Sequence, residues 1–258
     1  MHSSKSPADS WAKTIVDLPL SPLNSGPLKN FTLERQEPSG TNNLALEQGK
    51  FKIRLANSEG RRESADLLIK KMYAWRGYDT SGALNDTPNR ITLMADLKGK
   101  VIGTLTIGLD SSTGLLVDQL YKDEIDRLRE SQRFVCELTK LAIDKDANSN
   151  RVLAALFHLA FIYAHKIHGA TDFVIEVNPR HAVFYKRGLC FTQLGEERMC
   201  PRVNAPATLL RLTCESVVEN IAQYGGAMHE LSNVRNLYPF AFSASDEAGI
   251  TQRLLRGE

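Results

Sequence analysis

The amino-acid sequence predicts an α+β fold, in which a mixed and mostly antiparallel sheet is covered by helices on both faces. Two neighbouring apolar segments, residues 91–96 and 101–109, are joined by a link of hairpin length. Residues 151–168 form a helical pattern that is apolar almost all round, so other elements must cover several of its sides. A buried-type strand pattern at 173–177 follows directly. These segments together indicate a layered domain with the apolar helix inside it.

The first segments along the chain predict an arm, a strand and a helix. Residues 1–47 are rich in Ser, Pro, Asn and Gly without a sustained apolar period, and we interpret them as a flexible arm. Docking of this segment on the core or on a membrane surface is the alternative. Residues 51–56 predict a short strand, and residues 61–75 predict a helix. The apolar residues expected near one face of this helix are Leu67, Leu68, Met72 and Trp75.

The middle of the chain predicts a hairpin, a small helix and a long strand. The link at 97–100 contains Gly99 and has the turn chemistry of a β-hairpin. Residues 123–130 predict a small polar helix. Residues 133–143 are rich in apolar and β-branched side chains and predict a long strand.

The last third predicts a short helix, closing strands and a helical tail. Asn178 and Pro179 open the helix, and Gly188 ends it. Residues 190–196 and 207–214 predict the closing strands. The tail is apolar enough to pack on the core. We therefore divide the chain into an arm at 1–47, a domain at 48–215 and a C-terminal helical extension at 216–258.

Composition limits the classes of function. The 258 residues, 42% of them hydrophobic and 24% charged, are enough to bury one core with appendages. The net charge of +2 and the absence of a basic run argue against a nucleic-acid partner. No apolar segment reaches the roughly 18 residues of a membrane span, although peripheral membrane contact stays open. The four cysteines have no metal-ligand spacing, so we expect reduced thiols in the cytoplasm and no metal.

Residues 177–191, VNPRHAVFYKRGLCF, resemble the GNAT acyltransferase motif of a strand that ends in Asn and a helix that carries Ala, Phe and Tyr. The matching residues are Asn178, Ala182, Phe184, Tyr185, Gly188 and Phe191. The resemblance covers about residues 50–214 and implies the GNAT fold. It also implies that the long strand splays from its neighbour at a bulge, where backbone amides around Leu141 and Ile143, with Asn178, bind the pantetheine arm and the thioester oxygen. Tyr185 then donates a proton to the departing thiolate, with simple packing as its alternative.

The turn before the apolar helix bears on the acyl donor. Coenzyme-A-dependent GNAT members have a glycine-rich loop at this place, where the helix N-terminus binds phosphate. This chain instead has Asn148, Ser149, Asn150 and Arg151. The resemblance therefore favours acyl carrier protein, which presents a single pantetheine phosphate, over coenzyme A. It implies acyl-phosphopantetheine as a donor substrate and no permanently bound cofactor.

Residues 136–144, CELTKLAID, resemble the Glu-x-x-basic strand of acyl-homoserine-lactone synthases. Together with residues 103–111 and 73–79, this strand is still more similar to long-chain N-acyl amino acid synthases. That family uses acyl carrier protein thioesters as donors. Its products, N-acyl amino acids, imply an amino acid as the acceptor. The acceptor-binding residues that the resemblance implies are Arg76, Tyr78 and Lys140, and Lys140 stands where the lactone synthases carry Arg. Arg76 could grip a carboxylate through a bidentate pair, or could be a solvated surface residue.

Glu137 is the candidate general base. It is a carboxylate within an apolar strand, where desolvation raises the pKa toward the range that suits removal of a proton from an ammonium. The alternative is a structural ion pair with Lys140. We therefore predict an N-acyl amino acid synthase, with two alternatives: an autoinducer synthase, for which we identify no S-adenosylmethionine site, and a non-catalytic acyl-carrier or lipid-binding module.

Overall fold

The computed structural model describes residues 14–19, 50–74, 89–144, 150–227 and 235–256. The nine strands in these ranges are β1 (Val16–Pro19), β2 (Lys50–Leu55), β3 (Arg90–Leu97), β4 (Lys100–Leu109), β5 (Val135–Ile143), β6 (Asp172–Val177), β7 (Thr192–Gln193), β8 (Arg198–Cys200) and β9 (Ala205–Thr213). They form a sheet in the order β1-β2-β3-β4-β5-β6-β9-β7, with β8 paired to β9. Within the described residues β5 and β6 pair in parallel, and the other pairs are antiparallel. The predicted mixed sheet is confirmed.

The helices are α1 (Glu59–Ala74), α2 (Asp118–Glu130), α3 (Asn150–Phe161), α4 (Pro179–Leu189), α5 (Cys214–Tyr224) and α6 (Ala244–Arg256). The chain continues from α3 through a π-helical turn, Ile162–Ile167, up to Gly169, whose φ is +76°. A short 3-10 turn, Tyr238–Phe240, lies between α5 and α6. The C-terminal helices α5 and α6 contribute residues to the main core.

Part of the predicted flexible arm belongs to the sheet. Val16 pairs with Ile53 in β2, and the Arg54 Nε donates a hydrogen bond of 3.0 Å to the Thr14 hydroxyl. The arm prediction is therefore wrong for residues 14–19, and the docking alternative holds there. A four-residue strand is too short to produce an apolar period, so it was not visible in the sequence. The remaining arm lies outside the described residues.

The β3–β4 hairpin has a two-residue turn. Lys98 and Gly99 both have positive φ, at 52° and 86°, which suits the twist of a tight antiparallel pair. The Asp96 Oδ1 accepts a hydrogen bond from the Gly99 N–H. The hairpin expected from the link at 97–100 is confirmed.

Some element boundaries differ from the prediction. α2 begins at Asp118 rather than at residue 123, because Tyr121 interrupts the helix with φ of −128° and hides its periodicity. At the end of α4, Cys190 takes the left-handed cap with φ of +65°, and Gly188 lies inside the helix. β8 was not predicted, since three residues carry too little pattern.

Helices cover both faces of the sheet, and the cores beneath them differ. The main apolar core contains Cys136 and Leu138 of β5 and packs against α3 to α6. On the opposite face, α1 covers one small cluster and α2 covers another. Leu67 was expected near the apolar face of α1, but its side chain is 70% exposed. The buried residues of α1 are Ala65, Leu68, Ile69 and Met72.

β5 carries a bulge at Lys140 and separates from β6. The register against β4 shifts by one residue, since Thr104 pairs with Ala142 whereas Thr106 pairs with Thr139. Lys140 has a positive φ of 53° at this shift. On the other side, parallel pairing with β6 ends at Glu137, so from residue 138 onward β5 pairs with β4 alone. The sheet therefore opens between β5 and β6.

Tyr121 anchors α2 to the sheet. Its fully buried hydroxyl lies 2.8 Å from the Glu196 carbonyl oxygen and 2.7 Å from that of Ala207. We expect Tyr121→Phe to lower the free energy of unfolding by about 1–2 kcal/mol, because two carbonyl oxygens, the buried one of Ala207 and that of Glu196, lose their donor. Urea denaturation measures this loss. The control is Tyr224→Phe, whose hydroxyl makes no hydrogen bond to a described residue; equal losses in both variants would contradict the anchor.

Candidate active site

A polar strip lies on the sheet face that α1 and α2 cover, between their two apolar clusters. Side chains alternate between the faces of a strand, and the residues next to these polar ones belong to the main core on the other face. Thr92 and Thr106 are joined by a hydrogen bond of 2.7 Å across β3 and β4. We call this strip the polar floor; its residues are Arg90, Thr92, Thr106, Glu137 and Thr139.

Glu137 is the buried carboxylate of the polar floor. Its side chain is 2% exposed, and it lies at the last paired position before β5 and β6 separate. The Leu116 N–H, from the loop before α2, donates a 2.9 Å hydrogen bond to Oε2. An Nη2 of Arg90 lies 3.6 Å from the same oxygen. The carboxylate is thus held from two sides with little access to water.

The environment of Glu137 raises its pKa to about 7. Burial is the largest cause, because removal from water disfavours the charged form. The positive charge of Arg90 and the Leu116 hydrogen bond oppose this effect, while the nearby carboxylate of Glu176 adds to it. A carboxylate with a pKa close to neutrality can accept a proton from an ammonium at physiological pH.

Two residues beside Glu137 were missed in the sequence. Glu176 of β6 carries its carboxylate on the same face, and Arg202, in the turn between β8 and β9, forms an ion pair with it, with Nη2 2.5 Å from Oε2. Arg202 Nη1 also donates to the Leu116 carbonyl oxygen at 3.0 Å. Glu176 had a usable signal, since it interrupts an apolar strand as Glu137 does. Arg202 had none, because the fold alone brings it here.

Lys140 lies at the bulge of β5, next to the polar floor. Burial lowers the pKa of its ammonium, and the charge of Arg90 acts in the same direction. The cation within ion-pair distance of Glu137 is Arg90, not Lys140, so the alternative of a Glu137–Lys140 ion pair is wrong among the described residues. The Thr104 hydroxyl donates to the Lys140 carbonyl oxygen at 2.9 Å and stabilises the bulge.

The predicted donor-binding residues follow the opening between β5 and β6. Leu141 and Ile143 are buried at the end of β5, beyond the bulge. Asn178 ends β6 and caps α4, where its side chain accepts a hydrogen bond from the Arg180 N–H. These residues occupy the strand ends on either side of the opening.

Further predicted residues lie at the N-terminus of α3 or outside the described structure. Asn150 is the first residue of α3, and partial burial of the next residue, Arg151, lowers its pKa. The remaining predicted residues, Asn148, Ser149, Arg76 and Tyr78, lie outside the described residues.

Tyr185 is packed in the core of the opposite face. Its ring makes edge-on contacts with Phe157, Phe184 and Phe191, at centroid distances of 6.4, 5.0 and 6.0 Å. Glu137 faces α2 instead, so the structure does not bring the two predicted catalytic residues onto one face. This packing agrees with the alternative that was open for Tyr185, and a catalytic role for it stays a prediction.

An apolar cavity of about 30 Å³ lies in the main core, with Leu138 of β5 and Phe173 of β6 in its wall. Its walls include parts of β5, β6, α3, α5 and the C-terminal segment, by which we mean residues 235–256. Six of the lining residues are Leu138, Phe157, His158, Phe173, Tyr238 and Ala241. Leu138 is adjacent to Glu137 in β5 and points to the other face. The cavity and the carboxylate therefore lie on either side of the same strand.

The C-terminal segment is fastened over this cavity by His158. The His158 Nδ1 accepts a 3.0 Å hydrogen bond from the Phe242 N–H, which leaves the proton on Nε2, 2.8 Å from the Glu247 carboxylate. The imidazole also stacks on the Phe242 ring at 4.7 Å. His158 thus has a structural role and holds the cavity wall together.

Two features of the described residues bear on membrane and metal binding. None of the helices there combines the length and the apolar character that crossing a membrane requires. Nor does any group of three His, Cys, Asp or Glu side chains in the described ranges have an arrangement that could hold a metal ion.

Comparison with solved structures relates the fold to acyltransferases. FeeM, an N-acyl amino acid synthase from uncultured soil microbes, is 28% identical; the match covers 65% of this chain and 92% of FeeM, with a TM-score of 0.59. An acyl-CoA N-acyltransferase from Pseudomonas aeruginosa matches at 13% identity over 64% of this chain and 99% of its own, with a TM-score of 0.45. A search of the curated proteins finds no match.

The structural match to FeeM gives the class of the protein, an acyltransferase of the GNAT fold. The sequence model of the family "N-acyl amino acid synthase FeeM" matches residues 64–213. The chain belongs to this family, and the protein is an N-acyltransferase.

The raised pKa of Glu137 predicts a stability that falls as pH rises. The unfolded carboxyl loses its proton near 4.5 and the folded one near 7, so the folded state is penalised increasingly across this window. Glu137→Gln does not titrate. We expect its free energy of unfolding, relative to wild type, to increase by about 2 kcal/mol between pH 5 and pH 8. Thermal or urea unfolding at both pH values measures the change. A relative stability that falls toward pH 8 would instead indicate a stabilising ion pair.

Proposed function

We propose that the protein transfers a long-chain acyl group from an acyl carrier protein thioester to the α-amine of an amino acid, with Glu137 as the general base. The observation that carries this proposal is the buried carboxylate with a pKa of about 7, placed where β5 leaves β6. A base of this pKa beside an acyl-donor opening suits aminolysis of a thioester. The family membership supports an amide product.

In the reaction the acceptor nitrogen loses two protons and the leaving sulfur gains one. Glu137 takes a proton from the acceptor ammonium, and the free amine attacks the thioester carbonyl carbon. Backbone N–H groups of β5 beyond the bulge stabilise the tetrahedral oxyanion, because this part of the strand has no β6 partner. The C–S bond then breaks and releases a thiolate, and the second proton of the nitrogen passes to this sulfur, so the products are the amide and the free thiol. Tyr185 stays a candidate for that last step.

Acyl carrier protein as the donor is supported by the start of α3. The backbone N–H groups of a helix N-terminus attract a phosphate, and Asn150 and Arg151 provide side chains there. The chain has Asn148 and Ser149 where a glycine-rich loop suits the pyrophosphate of coenzyme A. A single pantetheine phosphate fits this turn better. A cytoplasmic location, expected from the cysteines, agrees with such a donor and stays a prediction.

The cations around the polar floor support an amino acid as the acceptor. Arg90 and Lys140 lie beside Glu137, and a carboxylate on them places an α-amine toward the base. Burial of Lys140 leaves its ammonium poorly solvated, which strengthens its attraction for an anion. Arg76 and Tyr78 stay predicted partners of the acceptor.

Product formation tests the proposal. The full chain is incubated with acyl carrier protein thioesters and coenzyme A thioesters of several lengths and with each common amino acid, and amides are detected by mass spectrometry. We expect an N-acyl amino acid, faster from the carrier protein, and a loss of about 10²–10⁴-fold in rate with Glu137→Gln. Absence of any amide from every pairing would overturn the proposed function. Equal rates from both donors would overturn the donor assignment alone.

The apolar cavity beside β5 predicts control of acyl-chain length. We expect Ala241→Leu to shift the products toward shorter chains, since the larger side chain enters the cavity from the C-terminal segment. Competition among mixed thioesters, followed by mass spectrometry, measures the distribution. The control is Val218→Leu on the 41%-exposed face of α5, which leaves the distribution unchanged. An identical distribution in Ala241→Leu would place the acyl chain elsewhere.

A further inference from the structure

Arg202 joins three parts of the structure around the base. Its Nη1 donates to the Leu116 carbonyl oxygen at 3.0 Å and to the Gln119 Oε1 at 2.9 Å, and its Nη2 lies 2.5 Å from the Glu176 Oε2. The turn between β8 and β9 is thereby tied to the loop before α2 and to β6. Both terminal nitrogens of the Arg202 guanidinium group therefore make hydrogen bonds.

Leu116 connects Arg202 to Glu137. Its carbonyl oxygen accepts from Arg202, and its N–H donates to the Glu137 Oε2 at 2.9 Å. This hydrogen bond, between described residues, orients the Glu137 carboxylate. A shift of the Leu116 backbone therefore moves the hydrogen bond on which the position of the carboxylate depends.

A purely structural role for Arg202 is already served by another residue. Arg198, on β8, binds the Leu120 carbonyl oxygen at 2.6 Å and the Glu124 carboxylate of α2 at 2.5 Å. It anchors the same helix from the same hairpin and makes no contact with Glu137. The second anchor, Arg202, differs in touching the residue that holds the base.

We propose that Arg202 is a positioning residue for Glu137: it fixes the Leu116 N–H on the carboxylate and neutralises Glu176 beside it. This inference rests on the proposed role of Glu137 as the base. Arg202 itself does not touch the substrate in this scheme, and it acts through Leu116 and through its charge.

The charges around Glu137 set the direction in which its pKa should change when one of them is removed. Arg90 faces it from β3, Glu176 from β6, Arg202 from the β8–β9 turn and Lys140 from β5 itself. Arg202 lowers the pKa of Glu137 and Glu176 raises it. Loss of the Arg202 charge therefore moves the titration of Glu137 to higher pH, and loss of the Glu176 charge moves it to lower pH.

The test compares Arg202→Gln, Glu176→Gln and the matched control Arg198→Gln. Each is made with and without Glu137→Gln, so that the difference in unfolding free energy between pH 5 and pH 9 reports the titration of Glu137 without an activity assay. We expect its midpoint to move up by about one pH unit in Arg202→Gln, down in Glu176→Gln, and not at all in Arg198→Gln. Movement in the same direction in all three, or none, overturns the inference.

Kinetics separate geometry from charge. The pH profile of kcat/KM is measured with the thioester and amino acid that give product, and its acid limb is expected to follow the same shifts. Arg202→Lys keeps the positive charge but loses the paired hydrogen bonds of the guanidinium group. We therefore expect the acid limb of kcat/KM to stay at its wild-type pH and kcat to fall about 10-fold. A kcat equal to wild type overturns the positioning role. If the midpoints move as expected but the protein makes no amide, the effect of Arg202 on Glu137 holds and the proposed function is overturned.

Discussion

The parallel pairing of β5 with β6 ends at Glu137, and the rest of the site depends on where it ends. Up to this residue, hydrogen bonds on both sides hold the strand rigidly in the sheet. Beyond it, the bulge at Lys140 reverses which side chains point to which face, so Leu141 and Ile143 turn into the main core. One strand thus provides a fixed carboxylate and, a few residues later, a backbone edge that has no β6 partner.

A buried carboxylate is costly, and the surrounding charges limit that cost without removing it. Arg90 and the Leu116 N–H favour the ionised form, while burial and Glu176 disfavour it, and the balance leaves the pKa of Glu137 near neutrality. Had Lys140 paired directly with Glu137, the carboxylate would be ionised well below neutral pH and a poor base. The raised pKa means that the folded state loses stability as this carboxyl ionises near neutral pH.

The two faces of the sheet differ in polarity. The face beneath α1 and α2 is polar between two apolar clusters, which suits a charged acceptor. The other face is apolar, and His158 fastens the C-terminal segment across its cavity. Since Glu137 and Leu138 point to opposite faces, the buried carboxylate and the apolar cavity lie on either side of the same part of β5.

The sequence by itself determined most of the strand and helix order and the β3–β4 hairpin, and it singled out Glu137 as a candidate, because these follow from local period, turn chemistry and a charge inside an apolar strand. Tertiary structure alone decided the β1 strand, the partners of Glu137 and the separation of Tyr185 from it. The reason is physical: β1, Arg202 and Leu116 obtain their roles from contacts with residues distant along the chain. A local pattern carries no information about such contacts, and only the packed sheet brings them together.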